Sequence, residues 1–338
     1  MTETISSIMN MTIARMPFLS ARERIKLANA LCQDSRGTTP LAGLCLGDLE
    51  IIVQRRLAKA VWNPAAWAGQ AEQDMAFLSR VGGAAVSYLD YGYPAILRET
   101  ARPPFMLYIR GRLPDPDKPA LAIVGTRYPT GRGLDAAMAI GREAGEAGVP
   151  VISGLARGVD SAAHRGALSG GGVTFAILGR GIDTVYPQSN KELASRMVAS
   201  GGGLASEYPP GTPPSRWTFP ERNRILAGLC RSTVVVEAPG GSGALISAAF
   251  ALEEGRDVYV VASCMGGIRS AGSDALASDG AVALTCFADI IQDWREGNAH
   301  KGPQLLHANR RCHMRRPGRR TARTGSRRPS IVLPGRRM

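Results

Sequence analysis

The sequence predicts an α/β protein: a doubly wound, mostly parallel sheet preceded by a small helical domain. Three observations carry that prediction. From residue 119 to about 290, short β-rich runs alternate with Ala-rich helical stretches. The runs are apolar throughout rather than at every second residue, as strands covered on both faces are. Before them, residues 1–100 show apolar residues at helical spacing instead.

In chain order, Ser20-Ala21-Arg22-Glu23 spells a capping box, followed by Ile25, Leu27 and Leu31 on one helical face. A second periodic stretch runs through Leu49, Ile52 and Leu57. Asn63-Pro64 opens a third, with Trp67, Ala71, Met75 and Leu78 in phase. These residues read as the core of a small helical unit with a linker over 1–100, of SAM or helix-hairpin-helix type, although no Gly-rich hairpin turn demands DNA binding there. Strands are expected at Leu121–Val124, Val149–Ile152, Val173–Leu178, Gly203–Ser206, Thr233–Glu237 and Asp257–Ala262, inside an α/β domain spanning 101–295. Helices are expected at Leu134–Ala147, Lys191–Ser200 and Ala244–Glu254. Residues 296–338, rich in Arg, Pro, Gly and Ser, have no periodicity and are expected to stay disordered.

Charge sharpens this division. The 338 residues carry 41 basic and 28 acidic groups, or +13. Lys301 and eleven arginines place +12 of that in 301–338, so residues 1–300 hold 29 against 28, or +1. A nucleic-acid site in the folded part must therefore rest on placed residues, not on net charge. No run approaches 18 apolar residues, so no membrane span is expected. The six cysteines (32, 45, 230, 264, 286 and 312) form no C-x-x-C, and the start lacks a basic-then-apolar leader; both point to a reducing cytoplasm. His300, His307, Cys312 and His313 could suggest metal binding, but they lie in the tail expected to be disordered, and no metal is expected.

Doubly wound domains bind ligands beyond the carboxyl ends of their strands, so chemistry is sought in those loops. Gly125-Thr126-Arg127 follows the first strand and precedes a helix, a geometry suited to holding phosphate on backbone N–H groups. It is neither G-x-G-x-x-G nor a P-loop. Ser153-Gly154 offers a second such nest, with Arg157 beside it. Asp160 and His164 stand at i, i+4, which invites an acid–base reading; helix capping by Asp160 and a local polar contact for His164 are the plainer expectation. Lys191 begins a helix, where a cation calls for a neutralising anion. Arg222 and Arg224 flank Asn223 in a loop expected before Ile225–Leu229, and Ser242-Gly243-Ala244 opens a further helix. Several such cradles suit a chain of phosphates better than a single small ligand.

The series IVGTR, SGLARGVDSAAH, YPQSNKEL, SEYPPG, FPERNRILAGL and VVVEAPGGSGALISAAFALEEGRDVYVV resembles, in order and spacing, the DNA-processing protein A (DprA/Smf) family over about residues 85–285. The resemblance implies an extended Rossmann-like domain that binds single-stranded DNA without sequence preference. It also implies a homodimer that protects incoming DNA and loads RecA recombinase in natural transformation, without cofactor or enzymatic chemistry. Matched position by position, the phosphate ligands it implies are Gly125, Thr126 and Arg127, then Ser153, Gly154 and, at a variable position, Arg157. Lys191, Asn223, Arg224, Ser242 and Gly243 complete the set. The Pro-Gly turn usual in the family after the strand at 257–262 is Ser263-Cys264-Met265-Gly266 here, and the Arg-rich tail is expected to be too short and too polar for the winged-helix-like domain in which members often end.

Two other readings compete. Pro239-Gly240-Gly241-Ser242-Gly243 is similar to the P-G-G-x-G-T-x-x-E motif of LOG-type phosphoribohydrolases, but Ala244 and Ser247 stand where that motif has Thr and the catalytic Glu. A small-nucleotide-binding scaffold would use the same loops, and would show no dependence of affinity on oligonucleotide length. Aromatic residues are only 6% of the chain; Trp217 and Phe219 are the candidates for base stacking, with core or loop packing the plainer expectation for both.

The tail and the pocket make separable demands. Deleting 301–338 should remove most duplex binding at low salt, because twelve unfolded cations attract any polyanion by counterion release. Single-strand affinity at about 0.2 M salt should change little. Fluorescence anisotropy across a salt series checks both; loss of single-strand binding at high salt would make the tail the DNA-binding element.

Overall fold

The sheet is built in two directions from its middle. In this computed structural model, which describes residues 7–33, 41–58 and 60–296, nine strands pair in the order β1-β2-β6-β5-β4-β3-β7-β8-β9. Seven of them, from β6 to the β9 edge, are parallel: β3 (Leu121–Val124), β4 (Val151–Ser153), β5 (Thr174–Leu178), β6 (Gly203–Ser206), β7 (Ser232–Val235), β8 (Asp257–Val261) and β9 (Val282–Leu284). β1 (Gly83–Ser87) and β2 (Met106–Gly111) extend the β6 edge in antiparallel pairing. Every residue of β3, β4 and β5 is buried, which is why these strands read as unbroken apolar runs.

Four helices precede the sheet: α1 (Ile8–Arg15), α2 (Ala21–Gln33), α3 (Leu46–Val53) and α4 (Pro64–Val81). Their ends follow the sequence signals. The Ser20 N–H donates to Glu23 Oε2 at 2.8 Å, and Asn63 Oδ1 accepts from the Ala66 N–H at 3.1 Å, with Pro64 as the first helical residue. The Arg55 guanidinium donates to Glu23, and this bond holds the carboxyl well down, at about 2. These helices share one apolar core with the sheet: Met11, Leu27, Leu49 and Leu78 belong to the same cluster as Met106, Tyr108, Leu178 and Leu204. All the described residues fall in one compact unit.

The crossovers are α6 (Gly131–Glu146), α7 (Val159–Ser169), α8 (Lys191–Ala199), α9 (Thr218–Gly228) and α10 (Gly243–Glu253). The short α5 (Ala95–Arg98), α11 (Ala271–Ser278) and α12 (Phe287–Glu296) complete the α-helices among the described residues. α6 and α7 touch backbone to backbone: a Cβ on Gly141 would lie 2.5 Å from the Ala163 carbonyl oxygen, and one on Gly145 2.5 Å from that of Ala167. That contact fixes the loops at the head of both helices relative to each other.

Two expectations change. Arg222, Asn223 and Arg224 lie inside α9, not in a loop before a helix at Ile225. Pro220 sits in the first turn of α9, where the missing N–H costs nothing, so it does not break the helix. β1 and β9 were not anticipated, being short and made of small or half-buried residues. From 297 onward the basic tail, with His300, His307, Cys312 and His313, lies outside the described residues. Among the described residues, no helix is long and apolar enough to cross a membrane, and no cluster of His, Cys, Asp or Glu is grouped to hold a metal.

Candidate nucleic-acid interface

Strand order reverses where β3 lies between β4 and β7, so the connections from β3 and β7 leave in opposite directions and open a crevice at their carboxyl ends. A groove of about 600 Å³ occupies that position. One wall is the β3–α6 loop, from Gly125 to Tyr128; the other is the β7–α10 loop, from Pro239 to Ala244. Arg216, Phe219, Arg222 and Asn223, in and just before α9, close the groove between them.

The first loop has no room for a side chain at Gly125, whose Cβ would lie 2.5 Å from Val159 on α7. Its amides are largely committed. The Thr126 N–H donates to the Glu237 carbonyl at 2.7 Å, and the Tyr128 N–H to Thr126 Oγ1 at 3.2 Å. Thr130, the N-cap of α6, gives its N–H to Glu237 Oε2 at 2.8 Å and its hydroxyl to Oε1 at 2.7 Å. A buried carboxylate, that of Glu237, thus already sits at the N-terminus of α6.

The second loop is filled in the same way. Asp160 Oδ2 accepts the Gly154 and Ala156 N–H groups at 3.2 and 3.3 Å. Burial raises the Asp160 carboxyl above its usual range, against the opposing charge of Arg222. Gly158 holds φ +77°, and a Cβ there would press on the Thr126 carbonyl oxygen at 2.5 Å, so the loop folds back onto the first one. Arg222 is buried against Gly154, donates to the Ile177 carbonyl, and reaches Asn223 Oδ1 at 3.0 Å.

The third loop differs. Ser242 caps α10 through the Ala244 N–H at 3.3 Å, and among the described residues no carboxylate is bonded there. A Cβ at Gly240, Gly241 or Gly243 would meet nothing within 4 Å. Asn223 Nδ2 donates to the Gly243 carbonyl at 3.2 Å, tying α9 to this turn. The open helix N-terminus facing the groove is therefore that of α10, with the exposed Arg127 on the opposite wall.

Of the expected phosphate ligands, Gly125, Thr126, Arg127, Asn223, Ser242 and Gly243 line the groove. The other five are elsewhere. Ser153 is buried, its hydroxyl donating to the Ile123 carbonyl at 2.6 Å, and the Gly154 N–H is held by Asp160. Arg157 is exposed but off the groove lining. Lys191 does begin a helix, and lines a separate cavity of about 140 Å³ beside Arg110 and Thr184. Arg224 is buried in an ion pair with Glu207, also donating to the Arg102 carbonyl at 2.8 Å. Arg222, not Arg224, reaches the groove. On a helix over 218–228, arginines two residues apart point to different sides.

The Asp160–His164 pair is not a catalytic couple. His164 is fully buried, with Nδ1 2.7 Å from Thr174 Oγ1, and Asp160 turns back to the loop amides. Burial, helped by the positive charges of Arg222 and Arg165, pushes the imidazole down to about 3. Ser247, at the position of the hydrolase glutamate, is buried in the groove lining. Trp217 is 63% exposed instead of packed, and Phe219 lines the groove half-buried.

Compared with known proteins, residues 84–295 match the profile of the DNA recombination-mediator protein A family. The chain belongs to that family. The match runs from β1 into α12 and so takes in the whole sheet. Protein Smf of Synechocystis is 45% identical over 174 residues, covering 50% of this chain and 44% of the relative. Escherichia coli Smf is 37% identical over 205 residues, covering 61% and 55%, so the chain matches only about half the length of these two relatives. DNA processing protein DprA of Streptococcus pneumoniae is 38% identical over 208 residues, covering 62% and 73%. Its crystal structure superposes with a TM-score of 0.68 at 32% identity, over 86% of this chain and 99% of that one. DprA of Helicobacter pylori, solved for its single-stranded DNA binding mode, gives 0.57 at 26% identity, over 65% and 98%.

His164 ties stability to pH. Its folded pKa lies below the unfolded value of about 6.5, so the unfolded chain binds the extra proton and stability falls as pH drops from about 6.5 towards 3. Urea unfolding should show a loss approaching ~1.4 kcal/mol per pH unit from this group in that window. His164→Gln should flatten the profile; an unchanged profile would mean that the imidazole is not held neutral.

Proposed function

We propose that this chain binds single-stranded DNA along the groove between β3 and β7, without sequence preference and without chemistry on the strand. The observation that carries this is the α10 N-terminus, left without an internal carboxylate, facing Arg127 across a groove at the sheet's switch point. Phosphates seated on Ser242 and Gly243 and on the Arg127 guanidinium carry no base information, so weak sequence preference follows. Lys191, at the head of α8 and five residues beyond Tyr186 in sequence, would supply a further phosphate contact outside the groove. The single-strand binding mode described for the H. pylori relative supports the substrate class.

The same reading takes in the roles that family membership suggests: a cytoplasmic homodimer that protects incoming DNA and loads RecA recombinase during natural transformation. It needs no cofactor, no ATP and no metal. The hydrolase reading has no support at the groove, where the position of its glutamate is Ser247 and the nearby Glu237 and Asp160 are held by Thr130 and by loop amides.

Residues 1–300 should bind an oligothymidylate more tightly than a duplex of equal length, with affinity rising with strand length, in the absence of ATP and Mg²⁺. Arg127→Ala and Lys191→Ala should each weaken binding to all sequences alike and flatten the log–log salt dependence by about 0.7. Equal affinity for strand and duplex, or an untouched slope in both folded variants, contradicts the reading. Release of free base from AMP would restore the hydrolase.

A further inference from the structure

The groove and its edge carry aromatic rings that phosphate capture does not use. Among the described residues, Tyr91, Tyr128, Tyr186 and Trp217 are the exposed aromatic side chains, and three of them gather here. Tyr128 is 67% exposed on the groove lining. Its N–H is held by Thr126 Oγ1 and its carbonyl by Arg269, so the backbone is pinned while the ring stays in water. Trp217 stands at the head of α9, between two groove-lining residues, Arg216 and Thr218's neighbour Phe219, with the Arg216 guanidinium 4.7 Å from its ring centre. Tyr186 packs against Phe219 at 5.9 Å and 47°, and the Arg127 guanidinium lies 5.4 Å from the Phe219 ring.

Rings left in water beside guanidinium groups match the repeat of an unpaired strand, in which a flat apolar base alternates with a phosphate. Large aromatic surfaces are costly to leave wet in a domain whose other rings, Tyr91 apart, are buried or half-buried, and three in one place point to an apolar occupant. The charge beside them selects an occupant that is also anionic. Resting on the single-strand reading above, we infer that Tyr128, Tyr186 and Trp217 form a stacking surface for unpaired nucleobases, with Arg127 and Arg216 meeting the phosphates between them. Phe219 is the positioning residue, holding Arg127 on its face and Tyr186 against its edge. Every base has a π-face, so this contact adds affinity without adding sequence preference. A duplex keeps its bases stacked on one another and cannot use the surface, which makes it a source of strand selectivity separate from the phosphate contacts.

The test compares an oligothymidylate of about 20 nucleotides with an abasic strand of the same length and phosphate count, by anisotropy at about 0.2 M salt on the full chain. The full chain should bind the base-bearing strand about ten-fold or more tighter. Tyr128→Ala, Trp217→Ala and Tyr186→Leu, the last keeping apolar contact with Phe219, should each lose about five-fold or more for the thymidylate and little for the abasic strand. Equal binding of both strands by the full chain, or variants that weaken both alike, overturns the stacking surface while single-strand binding stands. Failure of the full chain to bind either strand overturns the single-strand reading with it.

Discussion

Glu237 reaches from the end of β7 to the start of α6, and that one buried carboxylate ties together the two walls of the groove. Its backbone carbonyl takes the Thr126 N–H while its side chain takes both polar groups of Thr130. Asp160 does the equivalent work one strand over, on the amides of Gly154 and Ala156. Buried carboxylates of this kind persist only when their oxygens are hydrogen-bonded. Here the hydrogen bonds come from amides that would otherwise be anion sites. Two of the three strand-end cradles are thereby occupied from within, and the third, at the head of α10, is the one left for a ligand.

The consequence is a site defined by subtraction. Residues 1–300 are almost neutral, so their net charge alone draws no polyanion to this face. On the proposed reading, attraction would come from a few fixed groups: the α10 N-terminus and Arg127 held over Phe219, with the buried Arg222 braced on Ile177 and Asn223 behind them. Each is set by a neighbour before any ligand arrives, which lowers the ordering cost of binding. Arg224, one residue from the groove in sequence, serves stability instead. Its pairing with Glu207 and the Arg102 carbonyl joins α9 to the chain entering β2.

Much of the fold was legible because burial on both faces leaves a plain mark. Leu121–Val124 and Gly203–Ser206 are strands over those very residues, and Lys191 opens a helix as expected for Lys191–Ser200. Gly83–Ser87 was not legible, since Gly and Ala carry no strand signal and the pairing with β2 is long-range. The site was legible only by region. Ser153-Gly154 has the composition of an anion nest, and nothing in the local sequence says that Asp160 will fold back to fill it. Pro220 disguised the first turns of α9, and with them the sidedness that separates Arg222 from Arg224. The exposure of Trp217 is likewise a property of the assembled edge, invisible in a segment that reads as ordinary loop packing.

The most direct measurement is backbone hydrogen exchange on the full chain, with and without a saturating oligothymidylate. The account predicts protection at 125–128, 216–223 and 239–244, with a weaker effect at 188–191 and none in α1 to α4. Protection confined to the N-terminal helices or to 301–338, with the β7–α10 loop unchanged, would contradict it.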